Sequence, residues 1–289
     1  MSLRFTESKS ELESKKIWKV PTIIGFDEKS SETSNTQIVC IIDTETTGLD
    51  TNKDEIIELG YMLIEYDQHG RFFDVIKRFN QLQQPSVPIT PEITKITGIT
   101  DEDLEGKSID WNEVVSDIST ASLLVAHNAQ FDRKMLERYS EVFKDRIWGC
   151  SVNDVDWESI GEKIRSQEWL LYKIANCYYE AHRALDDVNA LSFLLSRPHP
   201  EYNTPLFQQL STNAVQDSYI IRAVGSAFSE KDSLKALGCR WDGDNRIWWM
   251  KASESNLSER QNAIQEAAPT CRPQVSVIHA KDRYSVRDV

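Results

Sequence analysis

Ile41-Ile42-Asp43-Thr44-Glu45-Thr46-Thr47-Gly48-Leu49 is the stretch whose reading decides the fold. Ile38, Val39, Ile41 and Ile42 form a β-branched run that leads into two carboxylates spaced i, i+2. On a strand, residues two apart point to the same face, so Asp43 and Glu45 project together. Two anions side by side at a strand end repel one another unless a positive charge sits between them. A hard divalent cation with oxygen ligands is the natural resident. Thr46-Thr47-Gly48 then breaks the strand and lets backbone come close to a ligand. A strand that merely turns polar as it leaves the core would carry the same pattern, so the rest of the chain has to decide.

Working outward, residues 1–36 are rich in Ser, Glu, Lys and Thr and read as a flexible arm, with an apolar island at Ile17-Trp18 and Val20 to Ile24 that could dock on the body. After the polar turn Gly48 to Asp54, residues 55–64 predict a second strand, and residues 71–79 a third that pairs back as a hairpin. Three strands without intervening helices predict a mixed sheet. Pro85, Pro88 and Pro91 mark an extended loop, and Thr90-Pro91-Glu92 a helix start that Gly98 ends. Short helices are expected from Asp101 to Glu105 and from Ile109 to Thr120. Leu123-Leu124-Val125-Ala126 is wholly apolar and reads as a buried central strand. Helices are then expected over 129–139, 168–179 and 181–195, with a short strand over 147–150. Arg197-Pro198-His199-Pro200 stops the last helix, and residues 197–216 read as a linker.

The totals bound the function. At 289 residues the chain has room for one large domain or two, and 40% apolar content supports a sizeable core. No apolar run is long enough to span a membrane, and residues 1–19 lack the apolar stretch of a secretory signal. Cys40, Cys150, Cys177, Cys239 and Cys271 are scattered, with no Cys-x-x-Cys, so neither a disulfide framework nor a zinc site is indicated. A reducing, cytoplasmic location is the expectation. Net charge is −13, which argues against tight non-specific nucleic-acid binding. The acid is unevenly spread: residues 217–289 carry 11 Lys/Arg against 10 Asp/Glu, the remainder 22 against 36. An enzyme whose ligand carboxylates are countered by metals can be acidic and still act on phosphodiesters.

Further acids and a histidine now fall into order. Asp132 sits on the helix after the buried strand, within His127-Asn128-Ala129-Gln130-Phe131-Asp132, and His182 and Asp187 lie five apart in His182-Arg183-Ala184-Leu185-Asp186-Asp187. Taken singly, Asp132 reads as well as an exposed helix carboxylate, His182 as a surface histidine, and Asp186 competes with Asp187. His127 and Asn128 read as structural, with Asn128 placed to cap the helix that follows. Together with Asp43 and Glu45, the order and spacing resemble the DEDDh group of 3′–5′ exonucleases, the family of ribonuclease T and the proofreading epsilon subunit of DNA polymerase III. The resemblance covers roughly residues 37–196. It includes Glu55-Ile56-Ile57-Glu58-Leu59-Gly60 as the second strand, and Ile89-Thr90-Pro91 through Thr97-Gly98-Ile99-Thr100 as the loop that follows the hairpin. This chain has Thr97 where many members carry a histidine.

What the resemblance implies is a ribonuclease H-like α/β domain with two Mg²⁺ or Mn²⁺ ions about 4 Å apart that clamp the scissile phosphate. By position, Asp43 would bridge both ions, Glu45 and Asp187 would complete the site that activates water, and Asp132 would help hold the second ion. The family spacing selects Asp187 over Asp186. His182 would be the general base, since imidazole titrates near neutral pH. Backbone at Thr46 and Thr47 would approach the terminal nucleotide, Leu49 would wedge against its base, and Phe131 would flank it or lie buried. The product would be a nucleoside 5′-monophosphate released from a 3′ end.

From Tyr219 a second unit is expected: a strand to Val224, a helix over 229–237 ending at Gly238, a hairpin over 239–251 and a helix over 253–267. It is similar to a small α/β module appended to other nucleic-acid-processing proteins. Trp241, Trp248 and Trp249 interleave with Arg240, Arg246 and Lys251, which suits either a small core or a stacking platform. The organisation expected is a flexible arm (1–36), an exonuclease domain with a mixed sheet flanked by helices (37–196), a linker (197–216), a small α+β module (217–268) and a disordered tail (269–289). The expected partners are single-stranded or frayed nucleic-acid 3′ ends, DNA ahead of RNA, with a polymerase or repair protein alongside and no membrane. The alternatives are an exoribonuclease trimming short RNA or tRNA ends, and a catalytically idle nucleic-acid-binding protein.

Overall fold

The computed structural model describes residues 17–21, 26 and 35–287, and the chain divides into two units between Ala214 and Val215. The strands of the first unit are β1 (Trp18–Lys19), β2 (Gln37–Thr46), β3 (Ile56–Tyr66), β4 (Phe72–Leu82), β5 (Leu123–Ala126), β6 (Trp148–Cys150) and β7 (Cys177–Tyr178). Five of them form one sheet in the order β4-β3-β2-β5-β6. β2 is its middle strand, antiparallel to β3 and parallel to β5, so the sheet changes sense there. β4 pairs antiparallel with β3, and β6 parallel with β5. With helices on both faces this is the mixed, ribonuclease H-like arrangement.

Alternation along β2 sorts its side chains. Val39 and Ile41 join Met62 and Ile64 of β3 in a core covered by Val188, Leu191 and Leu195 of the helix Ala184–Leu195. The opposite face meets the helix Trp111–Thr120, where Tyr61 donates to the Asp117 carboxylate at 2.5 Å. β5 is buried at every residue, as its unbroken apolar run predicts. Asp43 lies on the Val39 and Ile41 side, so the strand delivers it under the start of the helix Ala184–Leu195.

Several elements differ from expectation. Within the stretch read as a linker, Leu206–Ala214 is a helix whose Leu206, Phe207, Leu210 and Ala214 are buried in the main core. Those four positions form one helical stripe. The helix expected over 168–179 is a short α-helix, Gln167–Leu170, continued by a π turn, Leu171–Ala175. It stops at Asn176 with φ +57°, a left-handed residue that ends a helix. The expected arm at 1–36 lies largely outside the described residues. Its island is described in part: Trp18–Lys19 pairs with β7, Val20 is buried, and the Pro21 carbonyl accepts from Asn189 Nδ2 at 2.7 Å.

The second unit is a four-stranded antiparallel sheet of β8 (Ser218–Val224), β9 (Arg240–Asp242), β10 (Ile247–Ser253) and β11 (Arg272–Ile278), in the order β11-β8-β10-β9. The helices Lys231–Ala236 and Leu257–Ala267 bury Leu234 and Ile264 against one face. β11 stands where a disordered tail was expected: it pairs with β8 along seven residues as an edge strand, a position that tolerates Pro273. Among the described residues of the chain, no helix is long and apolar enough to cross a membrane.

Candidate active site

The site is built where β2 ends. Asp43 pairs across the sheet with Gly60, and Glu45 with Glu58, so all four residues share one face. A Cβ on Gly60 would lie 2.6 Å from the Ala184 carbonyl carbon and the Leu185 nitrogen. Glycine is therefore what lets the helix Ala184–Leu195 sit directly on β3, and Asp187, in that helix's first turn, arrives beside Asp43. One ligand oxygen from each of Asp43, Glu45 and Asp187 lies within 4.8 Å of the others. Of the two candidates in that turn, Asp187 is the half-buried one and Asp186 is exposed.

Asp187 is held from several sides. Its Oδ1 accepts from the Tyr179 hydroxyl at 2.6 Å, and its Oδ2 from the backbone N–H groups of His182 at 2.8 Å and Arg183 at 3.0 Å. Gln167 Nε2 donates both to the Tyr179 oxygen and to the Asp187 carbonyl, each at 2.9 Å. His182 takes φ +72°, an unusual conformation for a side-chain-bearing residue, costing about 1–2 kcal/mol. Its exposed ring lines the same cavity as Asp43, Asp132 and Asp187.

Asp132 joins from the helix Ala129–Leu136. Its Oδ1 accepts from the Thr44 backbone N–H at 3.1 Å and the Thr44 hydroxyl at 2.8 Å, which ties that helix to β2. It is buried, not an exposed helix carboxylate, and lies outside the close three-carboxylate group. The cavity, about 250 Å³, is also walled by His127, Asn128, Phe131, Gln167 and Tyr179. Phe131 is half-buried on this wall.

The electrostatics follow from burial and crowding. Burial first, and then the charges of Asp132, Asp187, Glu45 and Glu58, push the Asp43 carboxyl well above the usual range. Glu45 is pushed up to about 8 by burial and by Asp187 and Glu58, with Arg183 opposing. Asp132 rises to about 7 through burial, against the Thr44 hydrogen bonds. Asp187 rises to about 6 through burial, against its Tyr179 and backbone donors. Hard oxygen donors that cannot comfortably be charged together are the donor set a divalent cation fits.

The loop after β2 is tied by its own side chains. Thr46 Oγ1 donates to the Gly48 carbonyl at 2.6 Å, and Thr47 Oγ1 donates to Asp54 at 3.1 Å and accepts from the Glu55 N–H at 3.0 Å. Leu49 stands 86% exposed at its tip, and neither it nor Thr46, Thr47 and Glu45 lines the cavity itself. His127, on the cavity wall, is held by the surrounding scaffold. Its Nε2 donates to the Arg165 carbonyl at 2.8 Å, so Nδ1 must accept from Ser151, and burial lowers its pKa to about 4. Asn128 occupies the helix N-cap position, yet its side chain makes no capping bond. Thr97 is buried, with its hydroxyl donating to the Ile93 carbonyl and accepting from the Ile99 N–H.

Glu58 and Arg183 escaped the sequence reading as site residues. The signal was present: an acid flanked by Ile57 and Leu59 inside a buried strand has to find a cation.

Comparison with known proteins gives the family. An exonuclease family model, RNase_T, matches residues 40–194. The DNA polymerase III subunit epsilon of Treponema pallidum is 34% identical over 154 residues, covering 50% of this chain and 68% of that one. The PolC-type DNA polymerase III of Thermotoga maritima is also 34% identical, over 192 residues, covering 60% of this chain and only 13% of its own length. Among solved structures, exonuclease X in complex with 5′ overhanging duplex DNA is 27% identical, with a TM-score of 0.43, covering 55% of this chain and 89% of that one. With the family model spanning more than half of its residues, this chain belongs to the DEDDh 3′–5′ exonuclease family.

Proposed function

We propose that the chain is a metal-dependent 3′–5′ exonuclease that hydrolyses single-stranded or frayed DNA ends to nucleoside 5′-monophosphates. The observation that carries this reading is the meeting of Asp43, Glu45 and Asp187 oxygens within 4.8 Å, at the edge of a cavity lined by Asp43, Asp187 and His182. Asp43, Glu45, Asp132 and Asp187 would hold two Mg²⁺ or Mn²⁺ ions. Bound there, such ions supply Lewis-acid polarisation of the phosphate, a more acidic attacking water and neutralisation of the departing 3′-oxygen.

The chain's own groups do the rest. His182 accepts the proton of the attacking water on its exposed imidazole. The water oxygen bonds to phosphorus, the bond from phosphorus to the 3′-oxygen of the preceding nucleotide breaks, and solvent protonates that oxygen. Tyr179 and the backbone N–H groups of His182 and Arg183 fix the Asp187 carboxylate. Phe131 offers its ring to the terminal base, and Leu49, exposed at the loop tip, wedges against it; backbone at Thr46 and Thr47 borders the nucleotide. The names of the relatives, replicative DNA polymerase components, favour DNA over RNA and a polymerase partner. Five buried, unpaired cysteines accord with a reducing cytoplasm.

The test is a gel time course on 5′-labelled single-stranded DNA and matched RNA, in Mg²⁺, Mn²⁺ and EDTA. A metal-dependent ladder shortening from the 3′ end, faster on DNA, is expected. Clean binding without cleavage of either strand would overturn the reading.

A further inference from the structure

The second unit's sheet has two unlike faces. Tyr219, Ile221 and Ala223 of β8, with Trp248, Met250 and Ala252 of β10, turn toward the two helices. By alternation Trp249 points the other way. Strand register sets it in a row across all four strands: Arg240 of β9, Trp249 of β10, Arg222 of β8 and Gln274 of β11. At a strand spacing of about 4.8 Å the row is roughly 14 Å long. Arg240 and Gln274 are exposed, and Trp249 and Arg222 half-buried.

The row is basic as well as aromatic. The Arg240 guanidinium lies 5.8 Å from the Trp249 ring centroid. Lys251 and Arg272, both exposed, lie on the same face in the flanking rows. The acid on this face, Asp242, accepts from the Asp244 and Asn245 N–H groups and the Asn245 amide and attracts Arg222, so four cations (Arg222, Arg240, Lys251 and Arg272) share the face with one carboxylate. The face closes toward Ile220, which is buried. In a chain of net charge −13, this concentration of cations around an accessible indole has one fitting class of occupant. A planar base stacks on Trp249, and its flanking phosphates meet Arg240 and Arg222. An acidic peptide would use the cations and leave the indole unexplained.

We propose that this sheet face, centred on Trp249 between Arg240 and Arg222, binds single-stranded nucleic acid. It rests on the exonuclease reading for its biological setting, since it would hold the strand whose 3′ end is cleaved. The three tryptophans of the hairpin then divide their work. Trp248 packs on the core, Trp241 pairs with it at the sheet edge (ring centroids 5.4 Å apart), and Trp249 serves the ligand.

The test uses the full chain and fluorescein-labelled oligothymidylate in EDTA, where no cleavage intervenes, with anisotropy as the readout. R240E, a surface change, and W249A should each weaken binding about tenfold, the size of one lost stacking or phosphate contact. R240E should also lower the slope of log affinity against log salt by about one. Unchanged affinity in R240E, with an unchanged thermal midpoint, overturns the proposal. Loss of poly-glutamate binding in both variants with DNA binding intact overturns it in favour of an acidic protein partner. Hydrolysis of thymidine 5′-(4-nitrophenyl) phosphate by the wild-type chain in Mn²⁺ reports the catalytic reading separately, because that ester spans a single nucleotide.

Discussion

Glu58 and Arg183, 125 residues apart, form a clamp across the site: Arg183 Nε and Nη2 reach the Glu58 carboxylate at 3.1 and 3.0 Å. Glu58 is fully buried, and it also accepts from Ala184 N–H at 3.1 Å and Asn80 Nδ2 at 2.9 Å. An anion on the first N–H of a helix is favourably placed on the helix dipole. The clamp therefore joins β3 to the start of the helix that carries Asp187. Arg183 lies between His182 and that helix, so both candidate catalytic elements are registered through it.

Removing Arg183 tests the clamp. Arg183→Ala leaves a buried carboxylate without its cation, which costs about 3–5 kcal/mol in a wholly buried pair. Because the arginine side chain is 46% exposed, about 2 kcal/mol is expected here. Denaturant unfolding should show that loss. Turnover should fall by more than tenfold with KM little changed, because His182 and Asp187 lose their placement while substrate contacts persist. A variant with wild-type kcat would show that the clamp does not position the site.

Gly60→Ala attacks the same junction from the strand. The new methyl would sit 2.6 Å from helix backbone, which has no flexible end to swing aside. Overpacking of this kind costs about 1–3 kcal/mol. Asp187 should move away from Asp43, so Mn²⁺ affinity, read by calorimetry, should drop at least tenfold. Intact metal affinity would mean that the helix can slide without disturbing the carboxylates.

How far the molecule is legible in its sequence depends on what kind of contact makes each part. The i, i+2 carboxylates after a β-branched run, the unbroken Leu123–Ala126 strand and the Gly98 stop at φ +72° are local signals, and they appear in the structure where the residues place them. The helix at Leu206–Ala214 was hidden because its four-residue apolar stripe sits among Pro200, Pro205, Gln208, Gln209 and Thr212, a composition that reads as a linker. β11 was hidden because Gln274 and Ser276 alternate with exposed valines on an edge strand, a pattern indistinguishable from a tail without its β8 partner. The close group of Asp43, Glu45 and Asp187 could be anticipated from spacing and family resemblance. The devices that assemble it are long-range pairs, such as Thr44 with Asp132 and Glu58 with Arg183, which no local window contains.

Crowded carboxylates make the metal-free protein pH-sensitive in a defined direction. Glu45, Asp132 and Asp187 are raised to about 8, 7 and 6, and Asp43 is raised as well. Between about pH 4 and pH 8 these four carboxyls bind more protons in the folded chain than in the unfolded one, outnumbering the single proton that buried His127 gives up below about pH 6.5, so stability falls as pH rises. Melting in EDTA should show a lower midpoint at pH 8 than at pH 5. Mn²⁺ at pH 8 should restore several degrees, with proton release on binding. Asp43→Ala should melt higher than wild type in EDTA at pH 8 while losing turnover altogether. A flat pH profile, or normal cleavage by Asp43→Ala, would remove the basis of the proposed mechanism.

The adjacent acids Asp186 and Asp187 give the sharpest contrast, because they differ in burial and not in chemistry. Asp186 is exposed, so Asp186→Asn should stay within about 0.5 kcal/mol in stability, with near-normal cleavage. Asp187→Asn should abolish cleavage. Tyr179→Phe isolates the support beneath Asp187. Burial and the neighbouring Asp187 push the phenol's pKa up, so it stays protonated and donates to Oδ1 at 2.6 Å. Removing such an outer hydrogen bond lowers metal affinity by roughly 10–100-fold in metal sites generally. Tyr179→Phe should thus need at least tenfold more Mn²⁺ for half-maximal cleavage, with much of the maximal rate recovered at saturation. A variant that metal cannot rescue would place the phenol among the groups that act on substrate directly.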